Sequence, residues 1–221
     1  MAITKRKLAE QALRIIQGGA VRDDAEIDIR EVMMNIEQER DKLVRQEIFQ
    51  SLQIAGGYGA TSVNGSFVTS YVLDVETDNI KDMKFSKIPV TPISLPNDMG
   101  VVQVSHVQDQ YKPFMRMSTG QLGLYSGMPS EAALGRIGYF IENSLEFSQE
   151  SFQGTKIFYN KGMKNCDKKV LAKIVTVSED IAPDDIFPIT PEMQSMIIRN
   201  VVELYSIMRN AISDEQNDNI E

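Results

Sequence analysis

The chain has 221 residues, of which 42% are hydrophobic and 24% are charged, as is typical of a folded protein with one or two domains. No apolar run approaches the roughly 18 residues of a membrane-spanning helix, and the N terminus lacks the apolar stretch of a signal peptide, so we expect a soluble protein in the cytoplasm. The net charge is −8, and residues 181–221 contribute −6 of it, with 2 Lys or Arg against 8 Asp or Glu. A basic DNA-binding face is therefore not expected.

Residues 1–57 are predicted to form a helical hairpin. Thr4 suits the N-cap of a first helix over residues 5–17, and Gly18-Gly19 suits its end. Four apolar residues fall on one side of this helix at helical spacing. They are Leu8, Ala12, Ile15 and Ile16. We expect this helix to pack against the one that follows it.

The second predicted helix is long and covers residues 25–52, with Asp23 or Asp24 as its N-cap. Its apolar residues recur at spacings of three and four, but Arg40 and Glu47 interrupt them. In a single domain such residues usually lie at the edge of the apolar stripe, whereas in an oligomer they can pair with a neighbouring subunit.

Residues 58–180 are predicted to form a β-rich domain with long loops. Gly56-Gly57-Tyr58-Gly59 ends the helical period, and Asn64-Gly65 is the strongest hairpin-turn signal in the chain. Short β-favouring runs, separated by proline-marked loops, predict a barrel or a sandwich. The predicted strands are 67–75, 83–90, 100–107, 114–118, 136–147, 155–160 and 169–177.

Residues 181–221 are predicted to form a C-terminal helix and an acidic tail. Thr190 suits the N-cap and Pro191 the first helical position. The apolar residues that follow repeat at spacings of three and four, which predicts an amphipathic helix. They are Met193, Ile197, Val201, Leu204, Met208 and Ala211. Residues 213–221 are expected to be a mobile tail. The predicted fold class is α+β.

Few residues are available for the commoner kinds of catalytic site. The chain has one cysteine, Cys166, and one histidine, His106, so neither an intrachain disulfide nor a zinc site of four Cys or His ligands can form. Cys166 lies in a polar run typical of a turn, so we expect an exposed thiol and a strand histidine rather than a catalytic pair. The sequence contains no phosphate-binding loop, and the run Gly56-Gly57-Tyr58-Gly59 lacks a nearby lysine.

Acidic pairs and methionines are the remaining candidates for function. Asp23-Asp24, Glu179-Asp180 and Asp184-Asp185 could bind Mg²⁺ or Ca²⁺, but their positions in linkers and at a helix start favour helix capping and solvation. The chain has 12 methionines, and ordinary core filling is favoured over a contact surface.

Three segments carry a resemblance to a known family. They are ITKRKLAEQALRIIQGG, DIREVMMNIEQERDKLV and FPITPEMQSMIIRNVVELY. Together with the β-rich middle, they resemble the small virion connector proteins of tailed bacteriophages, in particular the ring or adaptor proteins of crAss-like phages. The resemblance covers the architecture of most of the chain.

The resemblance implies a structural protein without enzymatic activity or cofactors. Such adaptors form closed rings, commonly of twelve copies, that dock below the portal at the head-to-tail junction of the virion. The expected partners are further copies of the chain, the portal protein and other tail or ring proteins. DNA would pass through the ring without specific binding, since a lumen rich in Asp and Glu repels it. The protein would reside in the virion, and in the host cytoplasm during assembly.

The same resemblance places the portal or subunit contact on the C-terminal helix. The residues expected there are Met193, Met196, Ile197, Val201, Leu204 and Met208. Two alternatives stay open: a non-viral helical scaffolding or partner-binding protein, and a carboxylate-based metal-dependent hydrolase using Asp184 or Asp185.

Overall fold

A computed structural model describes residues 3–18, 27–54, 63–78, 83–95, 98–118, 137–144, 154–160, 163 and 168–217. The chain divides into two compact units, of which the first comprises Met1–Phe67 and Ser178–Glu221 and the second Val68–Val177. The described residues confirm the predicted α+β class, with helices toward both ends of the chain and strands between them. Helices from the two ends of the chain thus share one unit.

The first unit contains the helices α1 (Lys5–Ile16), α2 (Ile29–Ile54) and α3 (Pro191–Asn217). Two of the three predicted N-caps are confirmed, since Thr4 Oγ1 accepts a bond from Lys7 N and Thr190 Oγ1 accepts one from Met193 N, each at 3.3 Å. Gly18 follows α1 with a φ of 73°, a left-handed conformation that glycine adopts without strain.

Two predictions at helix ends were wrong. Asp28, rather than Asp23 or Asp24, precedes α2 and accepts a bond from Arg30 N at 2.9 Å; residues 23 and 24 lie outside the described residues. The C-terminal helix continues to Asn217, so the tail expected from residue 213 begins as helix. Each further residue of a formed helix adds one hydrogen bond, and Glu and Gln are good helix formers, which explains the extension.

Hydrogen bonds at different points along the three helices show the directions in which they run. Asn35 Nδ2 donates to Tyr205 Oη at 3.0 Å and Asn200 Nδ2 donates to Glu39 Oε2 at 2.9 Å, so α2 and α3 are antiparallel. Beside the start of α1, Phe187 N donates to Ile3 O at 2.9 Å. Further along, Gln194 of α3 reaches Gln11 of α1, so these two helices are parallel.

Arg40 of α2 lies in the interior of the first unit with none of its surface exposed, so it is neither at the edge of the apolar stripe nor accessible to a neighbouring subunit, the two placements considered from the sequence. Its Nη1 donates to Asp41 Oδ1 at 2.9 Å and its Nη2 to Pro188 O at 3.4 Å, with the Phe187 ring centroid 5.9 Å away. Burial lowers the pKa of Arg40, and the ion pair with Asp41 works in the opposite direction. Glu47, by contrast, is half-exposed, as expected at the margin of the stripe.

Further polar bonds extend this arrangement into what we call the buried ion cluster, which comprises Lys5, Glu37, Arg40, Asp41 and Ser178. Asp41 accepts bonds from Ser178 N and, at 2.6 Å, from Ser178 Oγ. Lys5 Nζ donates to Glu37 and, at 3.2 Å, to Ser178 O. The cluster therefore ties α1 and α2 to the chain segment that leads into α3.

Replacing Asp41 by alanine should lower the free energy of unfolding by about 3 kcal/mol, because it leaves the Arg40 charge buried without its counter-charge. The control is Arg6→Ala, which breaks an ion pair with Asp184 in the same unit whose side chains are 53% and 69% exposed. That change should cost less than about 1 kcal/mol. Urea unfolding followed by circular dichroism measures both, and equal costs would contradict the proposed importance of the cluster.

The second unit contains two β-sheets. The three-stranded sheet has the order β1-β8-β4 and the five-stranded sheet the order β2-β3-β7-β6-β5. All neighbours are antiparallel except β5 and β6. The strands are β1 (Thr69–Asp74), β2 (Glu76–Asp78), β3 (Met83–Lys87), β4 (Val101–His106), β5 (Met115–Arg116), β6 (Gly138–Ser144), β7 (Gly154–Tyr159) and β8 (Lys169–Ile174).

Each of the seven predicted strands is confirmed, six with shorter bounds and β7 shifted by one residue, and β2 was missed because it is short and polar. Val104 and Val170 of one sheet and Ile157 and Tyr159 of the other belong to one buried core. The described strands thus form a sandwich-like arrangement and do not close into a barrel.

The predicted hairpin at Asn64-Gly65 was wrong. The chain forms a 3₁₀ turn over Gly65–Phe67, and Asn64 Oδ1 accepts a bond from Ser66 N at 3.1 Å. Side-chain bonding of this kind lets Asn start a turn without strand pairing. Phe67, which ends the turn, is fully buried. His106 is a strand histidine, as predicted, and its ring meets that of Phe114 edge-on at 4.8 Å.

Alkaline pH should destabilise the second unit through Tyr159. Burial raises the pKa of this phenol well above its ordinary value, nearby Ser86 works to lower it, and Tyr139 raises it further. Above about pH 10 the unfolded chain loses a proton that the folded chain keeps, so stability falls with rising pH by up to about 1.4 kcal/mol per pH unit for this group.

Tyr159→Phe should make this decline shallower, because phenylalanine has no phenol proton to lose. Tyr111→Phe is the control, because Tyr111 is 97% exposed. The measurement is urea unfolding at a series of pH values from neutral to about 11. A decline that is unchanged in Tyr159→Phe would refute the assignment.

Candidate interaction surface on the third helix

The residues predicted to make contacts lie on two different faces of α3. Met193, Ile197 and Val201 are 4%, 0% and 0% exposed, because the apolar stripe of α3 packs inward against α1 and α2. Met196 is 48% exposed and Leu204 37%, so these two are accessible in the single chain. The side chain of Met208 lies outside the described residues. Of the predicted contact residues whose side chains the structure describes, only Met196 and Leu204 are exposed enough to contact another molecule.

One side of α3 borders a groove of about 240 Å³ that it shares with α2. We call this side the α2 flank. Its lining residues are Asn35, Gln38, Glu39 and Lys42 of α2, and Asn200, Glu203, Leu204 and Ile207 of α3. Ile207 is 61% exposed. Sequence reasoning missed Ile207, although its position three residues after Leu204 on the same helix could have indicated it.

Glu39 gives the α2 flank a fixed negative charge. It accepts bonds from Asn200 Nδ2 at 2.9 Å and from Lys42 Nζ at 3.0 Å. Partial burial works to raise the pKa of Glu39, but these bonds and the Lys42 charge outweigh it, so the pKa lies below its ordinary value. Glu39 is therefore ionised at neutral pH, and exposed Glu203 adds a second carboxylate to the same groove.

The other side of α3 faces a hollow of about 680 Å³ beside the end of α1. We call it the α1 flank. Its lining residues are Ile15, Ser195, Ile198, Arg199, Val202, Glu203 and Ser206. Ile15 is 55% exposed, although its spacing had grouped it with the inward residues of α1. Arg199 is exposed in this lining, and the exposed Arg14 lies in the last turn of α1.

The acidic pairs do not form a metal centre in the part of the chain that the structure describes. Asp184 forms an exposed ion pair with Arg6 Nε at 3.2 Å, and Asp185 is also exposed. No group of three His, Cys, Asp or Glu side chains comes together among the described residues. None of the described helices is long and apolar enough to cross a membrane. Cys166 lies outside the described residues.

Comparisons of the sequence with protein-family models and with curated proteins found no relative. No protein-family model matches the sequence, and no curated protein matches it either. The surface of the helical unit and the charge of the chain are therefore the features that bear on function.

Replacing Asn200 by alanine should lower the free energy of unfolding by about 1 kcal/mol at neutral pH, because Glu39 loses a charge-assisted hydrogen bond. A carboxylate with a lowered pKa contributes stability above its ordinary pKa of about 4.3, and this contribution is lost as the pH falls. The difference from the unaltered chain should therefore shrink below about pH 4.

The control for this change is Ser206→Ala, because the hydrogen bond that exposed Ser206 Oγ donates, to Val202 O at 2.9 Å, stays within α3. Its effect on stability should be small and independent of pH. Urea unfolding at neutral and acid pH distinguishes the two variants, and an Asn200→Ala effect that persists unchanged in acid would contradict the role given to Glu39.

Proposed function

We propose that this protein is a structural component of a tailed-phage virion, in which copies of the chain form a ring below the portal that connects capsid to tail. The observation that carries the proposal is that the helical unit closes its own core and still presents apolar side chains on two sides of α3. Ile15 lies on the α1 flank and Ile207 on the α2 flank, and both are more than half exposed. A closed ring needs two different contact surfaces on each subunit.

The architecture of the helical unit supports this proposal. The buried ion cluster and the inward stripe of α3 hold the three helices in fixed positions, so both flanks are carried on rigid elements. Contact surfaces built on helices lose little conformational freedom when they bind, which favours assembly. The resemblance to the adaptors of crAss-like phages supports the same role, with the portal and other tail or ring proteins as neighbours.

The charge of the chain supports a role around a DNA channel. Asp184, Asp185, Glu192 and Glu203 are all exposed, and residues 181–221 carry a net charge of −6. An acidic surface repels the DNA phosphates, so the genome could move past the ring without adhering to it. The proposed function is mechanical, exerted during assembly of the virion and ejection of the genome.

Mass photometry of the purified protein should detect one large and defined species rather than a continuum of sizes. A twelve-fold ring would have about twelve times the chain mass of 24.8 kDa, and electron microscopy would show its central opening. The protein should not retain duplex DNA at low salt, where electrostatic attraction is least screened. A protein that is monomeric at high micromolar concentration, or that binds DNA tightly, would contradict the proposal.

A further inference from the structure

We propose that Asn64 is a site of spontaneous modification in the folded chain, at which the side-chain amide is lost and the residue becomes isoaspartate or aspartate. Asn64-Gly65 is the one Asn-Gly pair in the sequence. It lies in the turn that precedes β1, where Asn64, Gly65 and Ser66 are all exposed to solvent. This inference is independent of the proposed function, because it concerns the chemistry of a single chain.

The reaction requires only water and groups that are adjacent in this turn. The backbone nitrogen of Gly65 attacks Cγ of Asn64, and the new N–C bond closes a five-membered succinimide ring. The proton of that nitrogen passes by way of water to Nδ2, the Cγ–Nδ2 bond breaks, and ammonia leaves. Water then opens the ring at either of its two carbonyl carbons, which yields aspartate or isoaspartate.

The geometry of the turn favours this attack. Gly65 has no Cβ to shield its nitrogen, and both residues are exposed, so water reaches the reacting groups. The carbonyl under attack already accepts a hydrogen bond, from Ser66 N to Asn64 Oδ1 at 3.1 Å. This bond closes a ring through the Gly65 peptide, which keeps Cγ near Gly65 N. It also stabilises the negative charge that develops on Oδ1 during the attack.

One backbone bond opposes the reaction. Phe67 N donates to Asn64 O at 3.0 Å, and the peptide between residues 64 and 65 must rotate, with loss of this bond, before the ring can close. Phe67 is fully buried, but the three residues before it are exposed, so the turn can open while Phe67 stays in place. Such local opening costs far less than global unfolding, and the reaction therefore proceeds in the folded chain.

Incubation of the full chain in warm, mildly alkaline buffer, followed by peptide mass spectrometry, tests the inference. Residue 64 should gain about 1 Da, and isoaspartate should form there. Trypsin releases Asn64 in the peptide 46–81, which also contains Asn79, so fragmentation of this peptide must locate the change. Asn35 and Asn200 are internal controls and should stay intact. Both are only partly exposed, lie within helices and precede β-branched residues that shield the attacking nitrogen.

Gly65→Ala tests whether Gly65 N is the attacking group. Apart from adjacent residues, no heavy atom lies within 4 Å of the position that a Cβ would take at Gly65, and its φ is not left-handed. The variant should therefore fold like the unaltered chain, which circular dichroism checks. The added methyl group should slow the reaction at Asn64 at least about tenfold. An unchanged rate in the folded variant would overturn the inference.

The same incubation in guanidinium chloride separates reaction in the folded state from reaction after global unfolding. The rate at Asn64 in the folded protein should lie within about tenfold of the rate in the unfolded chain. A rate that is lower by about a thousandfold or more would mean that the chain must unfold first, and the inference would then be wrong. An intact Asn64 after an incubation that modifies Asn35 or Asn200 would also overturn it.

Discussion

The pairing of Arg40 with Asp41 in the interior of the helical unit is the constraint on which the arrangement of the three helices depends. A guanidinium with no exposed surface is tolerated only when a counter-charge and hydrogen-bond acceptors surround it. Those partners come from separate parts of the chain, since Ser178 binds Asp41 and Pro188 accepts from Arg40. The segment that leads into α3 is therefore held beside α2, and α3 begins at a fixed place.

This constraint also determines which side chains reach the surface. Once the start of α3 is fixed, Ile197 and Val201 fill the interior, and the residues on the two sides of the stripe are left outside the core. Isolated exposed apolar residues are common on any protein surface. Here Ile15 and Ile207 are distinguished by their positions in two concavities on the two sides of α3.

The candidate surface could be predicted only in part from the sequence. Helical spacing located α3 correctly and grouped Met193, Ile197 and Leu204 in one apolar stripe, to which the family resemblance assigned the contact. In the structure, most of that stripe is the inward face, because it is the face that packs against α1 and α2. Ile15 shows the opposite error: its spacing matched the core residues of α1, yet it is exposed, because the core faces Leu8 and Ala12 instead.

By itself, the sequence determined the local elements, because their causes act over a few residues. Thr4 and Thr190 cap helices through bonds to the next turn, and β-favouring runs marked the strands. Only the tertiary structure decided the role of Arg40, because its acceptor Pro188 O is far away in the chain, as is Ser178, which binds the counter-ion Asp41. Whether a charged residue interrupts an apolar stripe at its edge or is buried within it depends on what packs against it. Local spacing carries no information about that packing, since bonds between distant segments form only when the whole unit folds.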